Sequence, residues 1–366
     1  MTFIKNSWYV AAHTHEVGDT PISRRILGCA VILYRLANGK PAALVDRCPH
    51  RLLPLSSGQR CGDDIQCGYH GLRFGPDGKC NFIPGQPDIP FNAAATALPV
   101  IERYDLTWVW GGDVHLADPN LIPSFSWLSY PDWTSKHTTG YLHIAANHQF
   151  VTDNLLDLSH ETYVHEGTIG NKPEHTIADY PADTTVQDRH IVRAHREMIA
   201  IAPPPFFEMI LDTNERIDRW QTAVYTPPAL NMTESGAYKH GRSRDRAALA
   251  RVLHLLTPET ETSTHYFWIV SRNYRIDDEA LGIAVGKAVA ATFDEDRAVL
   301  ELQQKALIED AGKTVPGFTL QVDRAPLLAR RIYGEFVNKE LEGIVCSPPP
   351  FVLNEAVTPA MKAVAR

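Results

Sequence analysis

Two short segments of the sequence each offer one thiolate and one imidazole to a metal. Cys48 and His50 are separated only by Pro49, and Cys67 stands three positions before His70. Two cysteines and two histidines can hold a single zinc ion. They can equally hold a two-iron, two-sulfur cluster, with the cysteines on one iron and the histidines on the other. Zinc-binding pairs place two or more residues between their ligands, so the gap of one residue favours the cluster.

A second set of metal ligands is indicated further along the chain. His160 and His165 with one carboxylate would form a facial triad, which holds Fe(II) on one side and leaves positions open for oxygen. Asn154, Asp157 and His160 follow at intervals of three residues, which predicts one face of a helix. His165 lies about 140° around that helix from His160, so we expect the helix to loosen or end near Tyr163. The alternative is a pair of ordinary histidines at a helix end.

The carboxylate of the triad is expected from a predicted helix in the last third of the chain. Its acidic run is Asp294, Glu295 and Asp296. Asp296 falls on the apolar stripe between Phe293 and Leu300, whereas its two neighbours fall on other faces. An unpaired carboxylate on a buried face is costly, and an iron ion would remove that cost. The alternative is a surface helix with Asp296 at its edge. The stripe is made of apolar side chains: Val285, Val289, Phe293, Val299, Leu300 and Leu307.

The first part of the chain is predicted to be a small antiparallel β domain. Strand-like runs at residues 30–35 and 42–46 flank the dipeptide Asn38-Gly39, a strong hairpin signal. Other short strands with glycine and proline turns continue to about residue 116, which is typical of a sandwich. We place this domain at residues 1–118.

A larger domain, residues 119–366, is predicted to combine an antiparallel sheet with helices. Residues 251–256 and 265–270 have the composition of strands and are expected to pair as a hairpin. Residues 281–309 are rich in alanine and predict a helix. The fold class is therefore α+β, with a sheet backed by helices.

The composition excludes some functions. Of 366 residues, 35 are lysine or arginine and 43 are aspartate or glutamate, giving a net charge of −8, and no basic run occurs. A nucleic-acid-binding surface is therefore not expected. No apolar stretch approaches the roughly 20 residues of a membrane span, and the N-terminus has no signal-peptide core. We expect a cytoplasmic protein that binds neither membranes nor nucleic acids.

The two ligand motifs together resemble those of Rieske non-haem iron oxygenases. The segments Trp8–Ala12 and Asn154–His165 also resemble the oxygenase components of the vanillate O-demethylase, toluenesulfonate methyl-monooxygenase and dicamba monooxygenase group. The likeness covers nearly the whole chain and thins after about Glu342. It implies a Rieske [2Fe-2S] domain followed by a catalytic domain with mononuclear Fe(II), and it matches Asp296 to the iron-binding aspartate.

The resemblance also implies a homotrimer in which electrons cross between subunits. Asp157 would bridge a cluster histidine of one subunit to an iron-binding histidine of the next; the alternative is a local capping or salt-bridge role. Asn154 would lie near the iron, although it could be a packed amide. Both residues are expected to assist catalysis.

Two further residues resemble substrate contacts of the dicamba enzyme, His254 and Asn231. A lone histidine in an apolar strand is as often a core residue as a pocket residue. The dicamba enzyme also carries a substrate-lining indole upstream of its iron-binding aspartate. No tryptophan lies between Leu281 and Asp296 here, so the slot for the substrate ring is expected to differ.

The activity that the resemblance implies is that of a terminal oxygenase. No glycine-rich dinucleotide motif occurs in the chain, so a separate flavin and iron–sulfur reductase is expected to deliver electrons from NAD(P)H. With O2, the oxygenase would oxidise a methyl or methoxy group of an aromatic acid, O-demethylation with release of formaldehyde being favoured. The alternatives are a cis-dihydroxylating dioxygenase and a Rieske electron carrier. The chain length and the second ligand set argue against the carrier.

Overall fold

The computed structural model describes residues 3–171, 177–310 and 317–344. The proline-rich segment 347–350, to which the sequence assigns no motif, lies outside these ranges. The described chain is α+β, as predicted, and all its strand pairs are antiparallel. Within these ranges no helix is both long enough and apolar enough to cross a bilayer.

The N-terminal part consists of short strands in three small sheets. The strands are β1 (Trp8–His13), β2 (Ile22–Ile26), β3 (Cys29–Arg35), β4 (Pro41–Val45), β5 (Gln59–Cys61), β6 (Asp64–Gln66), β7 (Arg73–Phe74), β8 (Cys80–Phe82), β9 (Val100–Arg103) and β10 (Leu106–Trp110). The sheet orders are β1-β10-β9, β2-β3-β4 and β5-β6-β7-β8. The predicted hairpin at Asn38-Gly39 is confirmed, since β3 pairs with β4 and Gly39 has a φ of +81°.

The C-terminal part is built on one seven-stranded sheet. Its strands are β11 (Thr139–Ile144), β12 (Asp183–Gln187), β13 (Ile191–Ile201), β14 (Ile217–Thr226), β15 (Leu230–Lys239), β16 (Ala248–Thr260) and β17 (Ser263–Arg272). They lie in the order β11-β17-β16-β15-β14-β13-β12. The second predicted hairpin is confirmed, because β16 pairs with β17 from Ala250↔Arg272 to Thr260↔Ser263.

Five α-helices occur in the described ranges. They are α1 (His148–Leu156), α2 (Glu161–Val164), α3 (Pro205–Leu211), α4 (Glu279–Glu309) and α5 (Arg324–Leu341). The predicted long helix is α4, and Asp296 lies on its buried side. The predicted stripe is wrong at two positions, since Val299 is 45% and Leu307 55% exposed. Val299 lies about 100° around the helix from Leu300, and Leu307 belongs to a final turn without buried residues.

The large sheet is covered on both faces. On one face Phe293 of α4 packs with Trp268 of β17, and on the other Trp110 joins a cluster with Leu253 and Phe267. All ten residues of β14 are buried, as expected of a strand with both faces covered. Successive residues of a strand face opposite sides, so His254 faces the helices while Leu253 faces the N-terminal part.

Candidate active site

Three side chains that could together ligate a metal meet between α4 and the segment around α2. Nε2 of His165 lies 3.2 Å from Oδ1 of Asp296, and Nε2 of His160 lies 3.4 Å from the same oxygen. One ligand atom from each residue lies within 4.8 Å of the others, and no second group of this kind occurs in the described ranges. Two imidazoles and one carboxylate are the donor set of a facial iron triad, so the residues present fit mononuclear Fe(II).

The local backbone brings the two histidines together. The predicted continuous helix over residues 154–160 is wrong, because α1 ends one residue before Asp157. The Asp157 carboxylate accepts hydrogen bonds from the Ser159 backbone N–H at 2.8 Å and hydroxyl at 2.5 Å, local contacts that compete with helix formation. His160 therefore lies in the turn that leads into α2. The expected break before His165 is present, since α2 ends one residue earlier and the backbone of His165 has φ −116° and ψ 26°.

The electrostatics of the triad suit a cation. Burial would raise the pKa of Asp296, but hydrogen bonds from His160 and His165 and their charges hold that pKa below its usual range. Burial would lower the pKa of His160, whereas the hydrogen bond and charge of Asp296 raise it to about 9. Burial would also lower the pKa of His165, but the hydrogen bond and charge of Asp296 outweigh it and raise that pKa. A cation that replaces the imidazole protons would satisfy the same buried carboxylate, so metal binding should release protons.

Glu295 orients His165. Its Oε2 accepts a hydrogen bond from Nδ1 of His165 at 2.7 Å and another from the Thr168 hydroxyl at 3.1 Å. A metal-binding histidine is fixed in ring orientation and tautomer when its other nitrogen donates to a carboxylate, so Nε2 of His165 is left available to a metal at the triad. From the sequence we assigned Glu295 no role, and its position directly before Asp296 was the one available signal.

Glu295→Gln is expected to weaken Fe(II) binding by about 10- to 100-fold, because the amide keeps an acceptor but loses the charge that makes His165 a better ligand. The measurement is a titration of the metal-free triad with Co(II) or Fe(II), followed by absorption. Asp294→Asn is the control, since Asp294 is exposed and pairs with Arg297 at 2.7 Å. Equal affinities for wild type and Glu295→Gln would contradict the role of Glu295.

The remaining triad contacts involve Asp157 and Asn154. Nδ1 of His160 lies 2.5 Å from the backbone carbonyl oxygen of Asp157, while the Asp157 carboxylate is 3.8 Å away from the same nitrogen. Nδ2 of Asn154 donates to Oδ1 of Asp296 at 2.9 Å. Asn154 thus holds the carboxylate of the triad in place, and the backbone of Asp157 orients His160.

The Cys/His segments also come together. Cys48 and Cys67 are each 2% exposed, and the exposed rings of His50 and His70 have centroids 4.6 Å apart. No three of these residues bring ligand atoms within 4.8 Å of one another. Bonds to zinc of about 2.0–2.3 Å would require closer spacing, so the arrangement fits the larger two-iron, two-sulfur cluster.

Close backbone contacts shape the second Cys/His loop. A Cβ at Gly58 would lie 2.0 Å from the carbonyl oxygen of Gln66 and 3.1 Å from the nitrogen of Gly68. Gly71 has a φ of +72°, and a Cβ there would lie 2.9 Å from the ring of Pro84. Glycine is therefore required at Gly58, which packs against the start of this loop from outside it, and at Gly71, which follows His70 at its end. Pro84 packs directly against Gly71.

A cavity of about 120 Å³ opens onto the triad. Its lining comes from the helical layer and from the facing side of the sheet, and includes all three triad residues together with Phe206, Phe207 and Phe293. An engineered apolar cavity of roughly this size can hold a benzene ring. Phe206 and Phe207 belong to α3, far along the chain from the motifs, and no sequence pattern indicated that they line this cavity.

His254 lines this cavity, whereas Asn231 is not among its lining residues. His254 is 2% exposed, with Nδ1 2.5 Å from the Tyr266 hydroxyl and Nε2 3.1 Å from the Thr233 hydroxyl. Asn231 is paired with His254 across β15 and β16 and donates to the Thr152 hydroxyl at 3.2 Å. His254 is therefore both a hydrogen-bonded buried residue and a cavity residue.

A buried polar network that we did not predict forms another part of the cavity wall. Arg219 donates to Glu161 at 2.9 Å, lies 4.3 Å from the centre of the Phe207 ring, and is 2% exposed. Gln221 donates to the other oxygen of Glu161. Arg219 and Gln221 lie two positions apart on β14, so they project from the same face of the sheet. The strand-like composition of this segment did not indicate a polar cavity wall.

Comparison with known proteins agrees with this geometry. The Rieske [2Fe-2S] domain matches residues 7–99, and the vanillate O-demethylase oxygenase C-terminal domain matches residues 144–339. The vanillate O-demethylase oxygenase subunit of Pseudomonas sp. (strain HR199 / DSM 7063) is 35% identical over 93% of this chain and 96% of its own length. The dicamba O-demethylase oxygenase component of Stenotrophomonas maltophilia is 35% identical over 85% of this chain and 92% of its own.

The fold is also that of a solved oxygenase. The crystal structure of dicamba monooxygenase bound to 3,6-dichlorosalicylic acid matches with a TM-score of 0.86 and 31% identity, over 93% of this chain and 99% of that one. The chain therefore belongs to the Rieske non-haem iron oxygenases, in the family of the vanillate O-demethylase oxygenase subunits. It is the oxygenase component of a Rieske monooxygenase, with a [2Fe-2S] cluster and a mononuclear non-haem iron as its cofactors.

Proposed function

We propose that this oxygenase removes the methyl group of a methoxy-bearing aromatic compound. The observation that supports this most directly is the cavity of about 120 Å³ that is lined by His160, His165 and Asp296 and by three phenyl rings. A substrate ring that packs against the phenyl groups would place a small substituent at the triad. The relatives named as vanillate and dicamba O-demethylases support the same chemistry.

We assign the protein ligands accordingly. The mononuclear iron is held by His160, His165 and Asp296. The cluster is held by Cys48, His50, Cys67 and His70. When bound, the cluster supplies electrons one at a time and the mononuclear iron supplies the activation of O2.

Other side chains prepare the site for the reaction. Asn154 fixes the Asp296 carboxylate, and the phenyl rings exclude water and align the substrate. Burial lowers the pKa of His254 to about 3, so His254 is neutral near pH 7 and would contact substrate as a hydrogen-bonding group. Asn231 lies beside His254 in the sheet and would support the same contact.

The reaction requires a partner protein. Oxidation of an aryl methyl ether inserts one atom of O2 into a methyl C–H bond, and the resulting hemiacetal breaks down to a phenol and formaldehyde. The other oxygen atom leaves as water after taking up two electrons and two protons. A reductase with flavin and iron–sulfur centres is proposed to deliver these electrons from NAD(P)H, and a cytoplasmic location would provide that donor.

We further propose a closed homotrimer in which Asp157 links two subunits. His50 and His70 are exposed, and the side chain of Asp157 is 28% exposed. Among the described residues of one chain, no hydrogen bond or ion pair joins Asp157 to either histidine. A head-to-tail ring would let each subunit's residues 1–118, the proposed Rieske domain, meet residues 119–366 of its neighbour.

The charge of the substrate is constrained by the cavity wall. Arg219 is the one lysine or arginine among the described lining residues, and it is paired with Glu161. A substrate carboxylate, as in the aromatic acids that the sequence favours, would therefore be bound by neutral donors. His254 and Asn154 are the candidates that line the cavity.

The test is an NAD(P)H-coupled screen of methoxybenzoates and methylated arenesulfonates with a matched reductase. We expect at least one methoxybenzoate to give formaldehyde and the corresponding phenol in equal amounts. Release of formaldehyde by none of the compounds would contradict the proposed function. The control is the same mixture with oxygenase whose mononuclear iron has been removed by a chelator.

A further inference from the structure

A second and larger cavity lies beside α5. It is on the same side of the sheet as the triad, because its residue Arg196 pairs with Gln221, which lines the triad cavity. Its volume is about 480 Å³, within the size range of small-molecule sites. We call it the Arg196 cavity. Its described lining residues are apolar except for Arg196, Arg324, Thr184 and Gln321, and none of them is acidic.

Arg196 is a buried cation with an unused donor. It is 2% exposed, and the one hydrogen bond described for its guanidinium runs to the backbone carbonyl oxygen of Leu158 at 2.6 Å. Its Nε–H is buried and has no acceptor among the described residues. A buried charge is costly unless it is paired and hydrogen-bonded. A further partner for this guanidinium is therefore expected.

The carboxylates of the protein near Arg196 are engaged by other groups. The charges of Glu161 and Asp157 act on Arg196, but neither carboxylate forms an ion pair with it in the described ranges. Glu161 is held by the buried network of the triad cavity, and Asp157 accepts two hydrogen bonds from Ser159. The missing partner is therefore expected in the cavity that Arg196 lines.

The start of α5 adds positive potential to the same cavity. This helix has 18 residues, and Arg324 and Ala325 in its first turn line the cavity. A helix N-terminus carries unpaired N–H groups and the positive end of the helix dipole, so it favours anions. The opposing charge there is Asp323, whose carboxylate accepts a hydrogen bond from the backbone N–H of Leu320 at 2.6 Å. The polar part of the wall therefore favours an anion, and the rest favours an apolar body.

We infer that the Arg196 cavity is a second binding site, which takes a small organic carboxylate with an apolar body. The carboxylate accepts charge-assisted hydrogen bonds from the guanidinium of Arg196, and the apolar body packs between β13 and α5. The site is separate from the triad cavity, because Leu158 is the one described residue that lines both. This inference goes beyond the demethylase function and does not depend on it.

The test uses benzoate as the probe and benzamide as its neutral analogue of similar shape. Dissociation constants and stoichiometries are measured by anaerobic calorimetry on the fully loaded, oxidised oxygenase. We expect benzoate to bind about tenfold or more tightly than benzamide, because only benzoate carries the charge that pairs with Arg196. Equal affinities would overturn the inference. So would the absence of benzoate binding, which is the result expected if an acidic side chain of a neighbouring subunit fills the cavity.

Two variants locate the bound benzoate. Arg196→Met removes the charge, and Ala182→Trp fills the cavity while Arg196 stays in place; each is expected to lose one benzoate per chain. Thr185→Trp is the control and should bind benzoate as wild type does, because Thr185 is exposed and faces away from the cavity that Thr184 lines. An unchanged stoichiometry in Ala182→Trp would place the probe elsewhere and overturn the assignment. No turnover is involved, so this result and that of the formaldehyde screen are independent.

Discussion

Asp296→Ala is expected to lose the mononuclear iron and all oxygenation while it keeps the Rieske spectrum. Asp296 is 7% exposed and its Oδ1 lies within 3.4 Å of both imidazoles. It supplies the one carboxylate of the triad, so neither histidine can take its place as an oxygen ligand. The residual pair of histidines cannot hold Fe(II) in a facial site, because the third ligand is gone. The iron content should fall from about three atoms per chain to about two, while the content of acid-labile sulfide stays unchanged.

Asp294→Ala is the matched control for that experiment. It removes a neighbouring carboxylate from the exposed side of α4, where Asp294 pairs with Arg297. Iron content and activity should equal those of wild type. The assignment of Asp296 is wrong if Asp294→Ala loses the iron and Asp296→Ala keeps it.

Asp157→Asn is expected to leave both metal centres bound and to slow electron delivery by about 10- to 100-fold or more. The proposed trimer uses the Asp157 carboxylate to accept hydrogen bonds from a cluster histidine of one subunit and from His160 of the next. Asparagine keeps the shape but removes the charge that holds both imidazoles. The backbone carbonyl contact to His160, at 2.5 Å, is retained, so iron should stay bound. The measurement is single-turnover oxidation of the pre-reduced cluster in the presence of substrate and O2.

Asp294→Asn is the control, because it removes a negative charge near the triad from a side chain that does not contact the triad. Its rate of cluster oxidation should match wild type. A wild-type rate in Asp157→Asn, or an active monomer by light scattering, would refute electron transfer between subunits through Asp157.

Much of the architecture could be predicted from local signals. The Asn38-Gly39 turn specified the β3–β4 hairpin, and the apolar stripe placed Asp296 on the buried side of α4. These features depend on periods and turns of a few neighbouring residues. The five-residue spacing of the histidines was likewise enough to predict the break before His165, because an unbroken helix would turn the two side chains apart.

Other parts of the site depend on hydrogen bonds and strand pairings that spacing and composition do not reveal. The break at Asp157 arises from its hydrogen bonds to Ser159, a local choice that helical spacing does not reveal. Glu295 reaches His165 across 130 positions of sequence, although it lies off the apolar stripe. Gln221 enters the cavity wall because of how β14 pairs in the sheet. The register of seven strands decides such neighbours, and no short pattern encodes it.

The most direct test of this account is product analysis in a single turnover without reductase. The protein is reduced chemically, freed of reductant, and mixed with O2 and a methoxybenzoate that releases formaldehyde in the coupled screen. We predict oxidation of the cluster together with equal amounts of formaldehyde and the demethylated phenol, in proportion to the mononuclear iron present. A cis-diol product, or cluster oxidation that yields no formaldehyde in a protein with full iron content, would contradict it.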